Sequence, residues 1–116
     1  MNKTNDSYSV ILPTFNEVGH IKNLIETISK IFEKKEITFE IIVVDDNSTD
    51  GTIEEVKSVI NVNKSVNLLV RKNKKSSLVD SLNEGIISSK HDNIVWLDAD
   101  FSHPPKYIEE FINYKR

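Results

Sequence analysis

The sequence predicts an α/β fold in which about four parallel strands alternate with helices. Three observations support this prediction. Short, apolar, β-branched segments recur along the chain, and segments with helical spacing of apolar residues separate them. The length of 116 residues suits one compact domain with a single core.

Four segments have the length and composition of buried strands. Each is short and rich in valine, isoleucine or leucine, and they span residues 8–12, 39–44, 66–70 and 93–97. Nearly continuous apolar strands of this kind are typical of a parallel sheet covered on both faces. We therefore expect helices on both sides of the sheet, joined by right-handed crossovers.

The segments that separate the strands carry apolar residues on one predicted helical face. These faces comprise Val18, Ile21, Ile25, Ile28 and Phe32; Ile53, Val56 and Ile60; Leu78, Leu82 and Ile86; and Ile108, Phe111 and Ile112. Thr52 followed by Glu55 three residues later predicts a capping box, and Pro105 suits a first helical turn.

Composition excludes several classes of function. The chain has 15 basic and 18 acidic residues, a net charge of -3, and no basic cluster denser than residues 71–75, so we expect no nucleic-acid partner. It has no cysteine, which excludes disulfides and thiolate chemistry. No signal peptide or membrane-spanning segment is predicted, and we expect a soluble, cytoplasmic protein.

Polar residues follow every predicted strand, at residues 13–17, 45–51, 71–77 and 98–105. The carboxyl ends of parallel strands meet at one rim, where ligands of open α/β sheets bind. Several of these residues are acidic, and clustered carboxylates generally require a cation. Asp98 and Asp100 are one residue apart, so an extended backbone would project both to the same side. This pattern suits Mg²⁺ or Mn²⁺ with a phosphorylated substrate, although Asp98 ending the strand and Asp100 capping a turn would be a simpler explanation.

Three other sites are less compatible with the sequence. The segment "DDNSTDG" resembles a calcium loop, but its twelfth position is Lys57 and it follows a strand. An aspartyl-phosphate phosphatase would need further residues beyond the few that follow Asp100. The three glycines form neither a dinucleotide-binding fingerprint nor a P-loop.

The segments "SVILPTFNE", "EIIVVDDNSTDGT" and "WLDADFSHPP", in this order, resemble the N-terminal half of a family 2 glycosyltransferase of the Rossmann-like GT-A fold. Within that family they are most similar to dolichol-phosphate (polyprenol-phosphate) mannose synthases. The resemblance implies that residues 1–116 form a single nucleotide-sugar-binding domain, truncated at the C-terminus.

The resemblance also implies a set of site residues. Those that would contact the nucleotide sugar are Pro13, Phe15, Glu17, Val43, Asp45, Asp98, Ala99, Asp100 and Ser102. Asp98, Asp100 and Ser102 would bind Mg²⁺ or Mn²⁺, and Asp46 is a weaker candidate for the nucleotide pocket. Arg71 and the nearby lysines would either face the diphosphate or form a solvated basic loop. Ser76, Ser77 and Leu78 replace a glycine-bearing turn of the family, and His103 is more typical of a turn than of a catalytic base.

The implied reaction is metal-assisted transfer of a hexose, mannose being favoured, from a nucleoside-diphosphate sugar such as GDP-mannose to a polyprenyl or dolichyl phosphate. The group that activates the acceptor is expected beyond Arg116, so the 116 residues alone are expected to be inactive. The complete enzyme could sit peripherally at the cytoplasmic face of a membrane, and this chain could self-associate through exposed apolar surface. A non-catalytic nucleotide-sugar-binding fragment is the alternative. A receiver-like signalling domain would place its acid pair after the first strand instead.

Overall fold

The computed structural model describes residues 6–72, 75–99 and 105–115, and it confirms the predicted α/β alternation. The strands are β1 (Ser7–Thr14), β2 (Thr38–Asp45), β3 (Val66–Val70) and β4 (Asn93–Trp96). The helices are α1 (Ile21–Lys34), α2 (Thr52–Val62), α3 (Leu78–Ser88) and α4 (Lys106–Lys115). Each predicted strand therefore exists, with bounds that differ by no more than two residues.

The four strands form one parallel sheet in the order β3-β2-β1-β4. The chain runs from β1 outward to β2 and β3, and then crosses back to the other side of β1 to form β4. The strand order thus reverses between β1 and β4. In open α/β sheets, ligands bind outside the carboxyl ends of the strands at such a reversal.

The larger core lies on the face covered by α1, α2 and α4. Fully buried residues of this core include Leu12, Val43, Ile25, Phe32 and Ile112. Each such side chain contributes about 1.5–3 kcal/mol through removal of apolar surface from water. The Phe32 ring also stacks on the ring of Phe39, with a centroid distance of 5.0 Å. This core fixes β1 and β2, whose ends carry the candidate site.

The other face has a smaller core, formed by Ile11, Ile42 and Val44 together with α3. A Cβ atom on Gly85 would lie 2.7 Å from Cγ2 of Ile11, so only glycine permits this close approach of α3 to β1. The predicted buried face of α3 is therefore wrong in part. Ser81 and Gly85 face the sheet, whereas Leu78 and Ile86 remain 48% and 45% exposed.

The predicted capping box of α2 is also wrong. Gly51 is the N-cap residue, with a φ of 105° that favours glycine, and Thr52 is the first helical residue. The side chains of Thr52 and Glu55 instead accept hydrogen bonds from the loop between β1 and α1 and from the first turn of α1. Val18 lies in that loop rather than on α1, and Pro105 immediately precedes α4.

Among the residues that the structure describes, no helix has both the length and the apolar character needed to cross a membrane.

Candidate functional site

A cavity of about 190 Å³ lies at the carboxyl ends of the strands, where the strand order reverses. It draws residues from the ends of β1, β2 and β4 and from the start of α3: Pro13, Thr14, Phe15, Glu17, Asp46, Ser76, Leu78, Ser81 and Asp98. Whole-ligand pockets typically exceed about 300 Å³, so the described residues form only part of a pocket of that size. Three of the lining residues are acidic, which suits a ligand that arrives with a cation.

Two larger grooves lie elsewhere and have less suitable chemistry. One of about 610 Å³ runs between α1 and α2 and is lined by side chains of both charges. The other, of about 460 Å³, borders β4 and α4 and is lined mainly by apolar side chains. Neither collects residues from several strand ends, so we assign the candidate site to the smaller cavity.

Phe15 and Glu17 lie on the β1–α1 loop and line the cavity, as does Pro13 at the end of β1. Phe15 is 53% exposed, which leaves aromatic surface open to a ligand. The structure therefore brings together these three of the residues that the sequence analysis placed at the nucleotide, and their role stays a prediction.

The backbone of this loop is held by side chains from the β2–α2 loop and the start of α2. Four consecutive backbone amides each donate to a different side chain. These bonds join Asn16 to Ser48 Oγ (2.8 Å), Glu17 to Thr52 Oγ1 (2.8 Å), Val18 to Asp50 Oδ2 (3.2 Å) and Gly19 to Glu55 Oε1 (2.8 Å). The Lys22 amide donates to the second Glu55 oxygen at 2.9 Å. The loop geometry is thus set by residues far away in sequence.

Asp45 lies inside the protein rather than in the cavity. Its carboxylate is fully buried, and Oδ1 accepts hydrogen bonds from the hydroxyls of Thr14 and Ser48, each at 2.6 Å. Oδ2 accepts a third hydrogen bond from the Ser48 backbone amide at 2.6 Å. Asp45 therefore joins β1, β2 and the β2–α2 loop, and its contact with a base or ribose stays a prediction.

Asp46, the weaker candidate of the sequence analysis, is the residue of this pair that lines the cavity. Its Oδ1 accepts from Nη1 of Arg71, while Oδ2 accepts from Ser76 Oγ at 3.1 Å and the Ser77 amide at 3.3 Å. Neighbouring residues at a strand end project to opposite sides. The alternation predicts that only one of the two aspartates faces inward, but not which one.

Arg71 does not form a solvated basic loop, nor does it lie open to a diphosphate. Its side chain is 3% exposed, and the guanidinium pairs with Asp46 and Glu84. Hydrogen bonds to Glu84 and Asp46 raise the pKa of Arg71 above its usual value. Neither predicted environment of Arg71, facing a diphosphate or in a solvated loop, is found, because neighbouring acids already neutralise its charge.

Val43 and Ala99 are fully buried in the larger core and are not part of the cavity lining. Side chains of a buried strand alternate between the two faces, and Val43 faces the helices α1 and α2. Ala99 is next in sequence to Asp98, which lines the cavity, so its backbone lies near the candidate site. Contact of Val43 or Ala99 with a nucleotide stays a prediction.

The structure describes only one of the three predicted metal ligands. Asp98 is partly buried at the end of β4 and borders the cavity, whereas Asp100 and Ser102 lie outside the described residues. Within the described ranges, no group of three or more histidine, aspartate or glutamate side chains is placed to hold a metal ion. The role of all three residues as metal ligands stays a prediction.

The chain matches the model of glycosyl transferase family 2 over residues 9–116. It is 36% identical over 105 residues to the dolichol-phosphate mannosyltransferase of Saccharomyces cerevisiae, an alignment that covers 87% of this chain and 38% of the relative. Among solved structures it resembles TarS 1-349 from S. aureus, with 25% identity, a TM-score of 0.75, and coverage of 93% of this chain and 32% of the other.

A further solved structure with the same fold is the mannosyltransferase PcManGT from Pyrobaculum calidifontis, in complex with GDP-Man and Mn²⁺. It is 26% identical, with a TM-score of 0.70 and coverage of 80% of this chain and 27% of the other. The chain spans between 28% and 38% of the length of the curated relatives that it matches. Because the family model covers nearly the whole chain, the protein belongs to glycosyl transferase family 2.

Proposed function

We propose that this chain provides the donor-binding part of a transferase that moves mannose from GDP-mannose to a polyprenyl or dolichyl phosphate. The observation that supports this proposal most is the cavity between β1 and β4, which combines an exposed aromatic ring with acids from two further strand ends. Fold alone does not determine function, so the proposal depends on this site. The relative named dolichol-phosphate mannosyltransferase supports the choice of sugar and acceptor.

We assign the nucleoside to the β1 and β2 side of the cavity. Phe15 offers its ring to the base, and Asp46 offers a carboxylate at the end of β2. Pro13 and Glu17 shape the same side. Asp45 contributes indirectly, because its three hydrogen bonds fix the backbone on which Asp46 and Thr14 lie.

We assign the diphosphate and a divalent cation to the β4 side, where Asp98 would be joined by Asp100 and Ser102. Oxygen ligands of this kind suit Mg²⁺ or Mn²⁺ with substrate phosphates. When bound, the cation supplies Lewis-acid stabilisation of the negative charge on the departing nucleoside diphosphate. The complex of PcManGT with GDP-Man and Mn²⁺ supports the pairing of nucleotide sugar and metal.

We assign acceptor binding to the part of the relatives' sequences that this chain does not cover. Transfer requires an acceptor that is held in line and activated. We therefore propose that the 116 residues alone bind the donor nucleotide without transferring sugar, which is also what a non-catalytic nucleotide-sugar-binding module would do. In the complete enzyme, a lipid acceptor places the reaction at a membrane surface, and we propose its cytoplasmic face.

Calorimetric titration of GDP and UDP, each with Mn²⁺ and with EDTA, tests the donor assignment. We expect GDP to bind more tightly with Mn²⁺, and Asp98→Asn to remove that enhancement. Asp92→Asn, which replaces an exposed aspartate before β4, is the matched control and should leave it unchanged. Equal GDP affinity with Mn²⁺ and with EDTA in the unmodified chain would show that the metal assignment is wrong.

A transfer assay separates an enzyme from a binding module. The chain is incubated with labelled GDP-mannose, Mn²⁺ and dolichyl phosphate, and lipid-linked mannose is measured. We expect none above background. Formation of lipid-linked mannose that is lost in Asp98→Asn would place the acceptor machinery within these 116 residues.

A further inference from the structure

A cluster of charges around a buried arginine lies behind the wall of the cavity formed by Asp46 and the start of α3. Its centre is Arg71, which follows β3 and is 4% exposed. Nε of Arg71 donates to Glu84 Oε2 at 2.7 Å, and Nη1 donates to Asp46 and to the carbonyl oxygen of Lys75 at 3.3 Å. Nη2 lies 3.7 Å from Asp80 Oδ2. One guanidinium thus contacts the end of β2, the segment before α3, and α3 itself.

The cluster is not built to bind an anion. Three carboxylates surround the single guanidinium, those of Asp46, Asp80 and Glu84. A phosphate at this place would have to displace carboxylates that already satisfy the guanidinium, and it would face two acids in excess. Arg71 therefore acts on the cavity only through its neighbours.

The link from Arg71 to the cavity runs through Asp46. While Oδ1 of Asp46 pairs with Arg71, its Oδ2 accepts hydrogen bonds from Ser76 Oγ, the Ser77 amide and Ser81 Oγ, the last at 3.5 Å. Asp46, Ser76 and Ser81 all line the cavity. A single carboxylate therefore joins the cation to the part of the wall contributed by α3.

We infer that Arg71 is a positioning residue for the nucleoside half of the donor site, holding Asp46 and the segment before α3 in place. The inference rests on the proposed function, because it concerns the cavity assigned to the donor nucleotide. Arginine is required because its planar fork reaches several partners at once, whereas the single ammonium of lysine cannot. A lysine at this position would keep the positive charge but could not contact Asp46, Glu84 and the Lys75 carbonyl at the same time.

The test compares Arg71→Lys with the unmodified chain by titration with guanosine and with GDP. We expect Arg71→Lys to weaken both ligands alike, by about tenfold, which corresponds to about 1.4 kcal/mol. A direct phosphate contact would give a different result, since the affinity for GDP would fall while that for guanosine stayed constant. Lys35→Gln removes a cation from the pair with Glu109, remote from the cavity, and should change neither affinity.

Amide hydrogen exchange gives a readout that does not depend on any ligand. The Ser77 amide donates to Asp46, whereas the Gly19 and Lys22 amides donate to Glu55. We expect Arg71→Lys to accelerate exchange at Ser77 and to leave Gly19 and Lys22 unchanged. Glu84→Gln keeps a side-chain acceptor and removes one charge, so it should give the same pattern more weakly and serves if Arg71→Lys does not fold.

The outcomes separate the two proposals. If the unmodified chain binds neither guanosine nor GDP, the proposed function fails, and the exchange pattern still decides whether Arg71 holds the wall. Unchanged affinities in Arg71→Lys, a loss confined to GDP, or equal acceleration at Ser77, Gly19 and Lys22 would each overturn the positioning role.

Discussion

The region at the ends of β1 and β2 differs from the region beside β4, because the first is held by internal hydrogen bonds and the second exposes apolar side chains. At the carboxyl ends of β1 and β2, the Asp45 carboxylate and four consecutive loop amides are held by hydrogen bonds within the chain. Beside β4, which is an edge of the described sheet, Ile94 and Trp96 are 39% and 38% exposed. A groove of about 460 Å³ lies there, lined in part by Tyr107 and Phe111.

This difference predicts that substitutions at the proposed donor site and substitutions beside β4 have different effects. The β1 and β2 side of the cavity, to which we assign the nucleoside, is held by contacts among residues 13–22 and 45–55 and by the pair of Asp46 with Arg71. We expect substitutions there to affect folding and binding together. The groove beside β4 shares no lining residue with the cavity assigned to the donor nucleotide. Changes there should affect association with other molecules, because exposed apolar surface of this kind promotes contact between proteins.

The largest effect is expected for Asp45→Ala. This change leaves the hydroxyls of Thr14 and Ser48 and the Ser48 amide without their acceptor, and Thr14 is buried. We expect the free energy of unfolding to fall by about 3 kcal/mol, the upper range for hydrogen bonds to a charged group. Urea denaturation measures it. Asp92→Ala, at an exposed position, is the control, and equal losses in the two variants would contradict the structural role of Asp45.

A smaller effect is expected from Asp50 in acid. Burial raises the pKa of this carboxyl, but hydrogen bonds from Thr52 and the Val18 amide more than compensate and hold it below its usual value of 3.8. A pKa lowered in the folded state means that Asp50 stabilises the protein fully above the ordinary pKa and loses this contribution as pH falls through the lowered value. We therefore expect the stability of the unmodified chain to fall more steeply below about pH 4 than that of Asp50→Asn.

Thermal unfolding at a series of acidic pH values measures this difference. Parallel curves for the two proteins would contradict a stabilising role for the hydrogen bonds that Asp50 accepts from Thr52 and the Val18 amide.

The smallest effect on stability is expected beside β4. Ile94→Thr keeps a β-branched side chain in the strand and makes the exposed surface more polar. We expect the free energy of unfolding to change by less than about 1 kcal/mol, and self-association in sedimentation velocity to decrease. Ile87→Thr on α3, at a position that is 82% exposed, is the matched control. Equal association of both variants and the unmodified chain would exclude the surface beside β4 as the contact.

The strands were predictable because each is a short apolar run. The position of the candidate site was predictable because the carboxyl ends of parallel strands lie at one edge of the sheet. The capping box failed because Thr52 and Glu55 accept from residues more than thirty positions away, at Glu17 and Gly19, and no local pattern records such a contact. The buried face of α3 was missed because Gly85 allows a close approach that hydrophobic periodicity does not register.

Asp45 and Asp46 also show that contacts between residues distant in sequence cannot be predicted from a local pattern. Alternation predicts that the two side chains diverge, yet the choice between them depends on where Thr14 and Ser48 place their donors. The buried environment of Arg71 likewise depends on acids contributed by β2 and α3, which become neighbours only in the folded chain.

The most direct test of the central claim is paramagnetic broadening of backbone amide signals by Mn²⁺ in the presence of GDP. If the cavity between β1 and β4 binds the nucleotide with its metal, amides of Leu97, Asp98 and Ala99 should broaden first, followed by Phe15. Amides of Glu26 and Lys64, in the groove between α1 and α2, should remain sharp. Broadening centred on that groove, or broadening near Asp98 that does not depend on GDP, would contradict the assignment of the donor site.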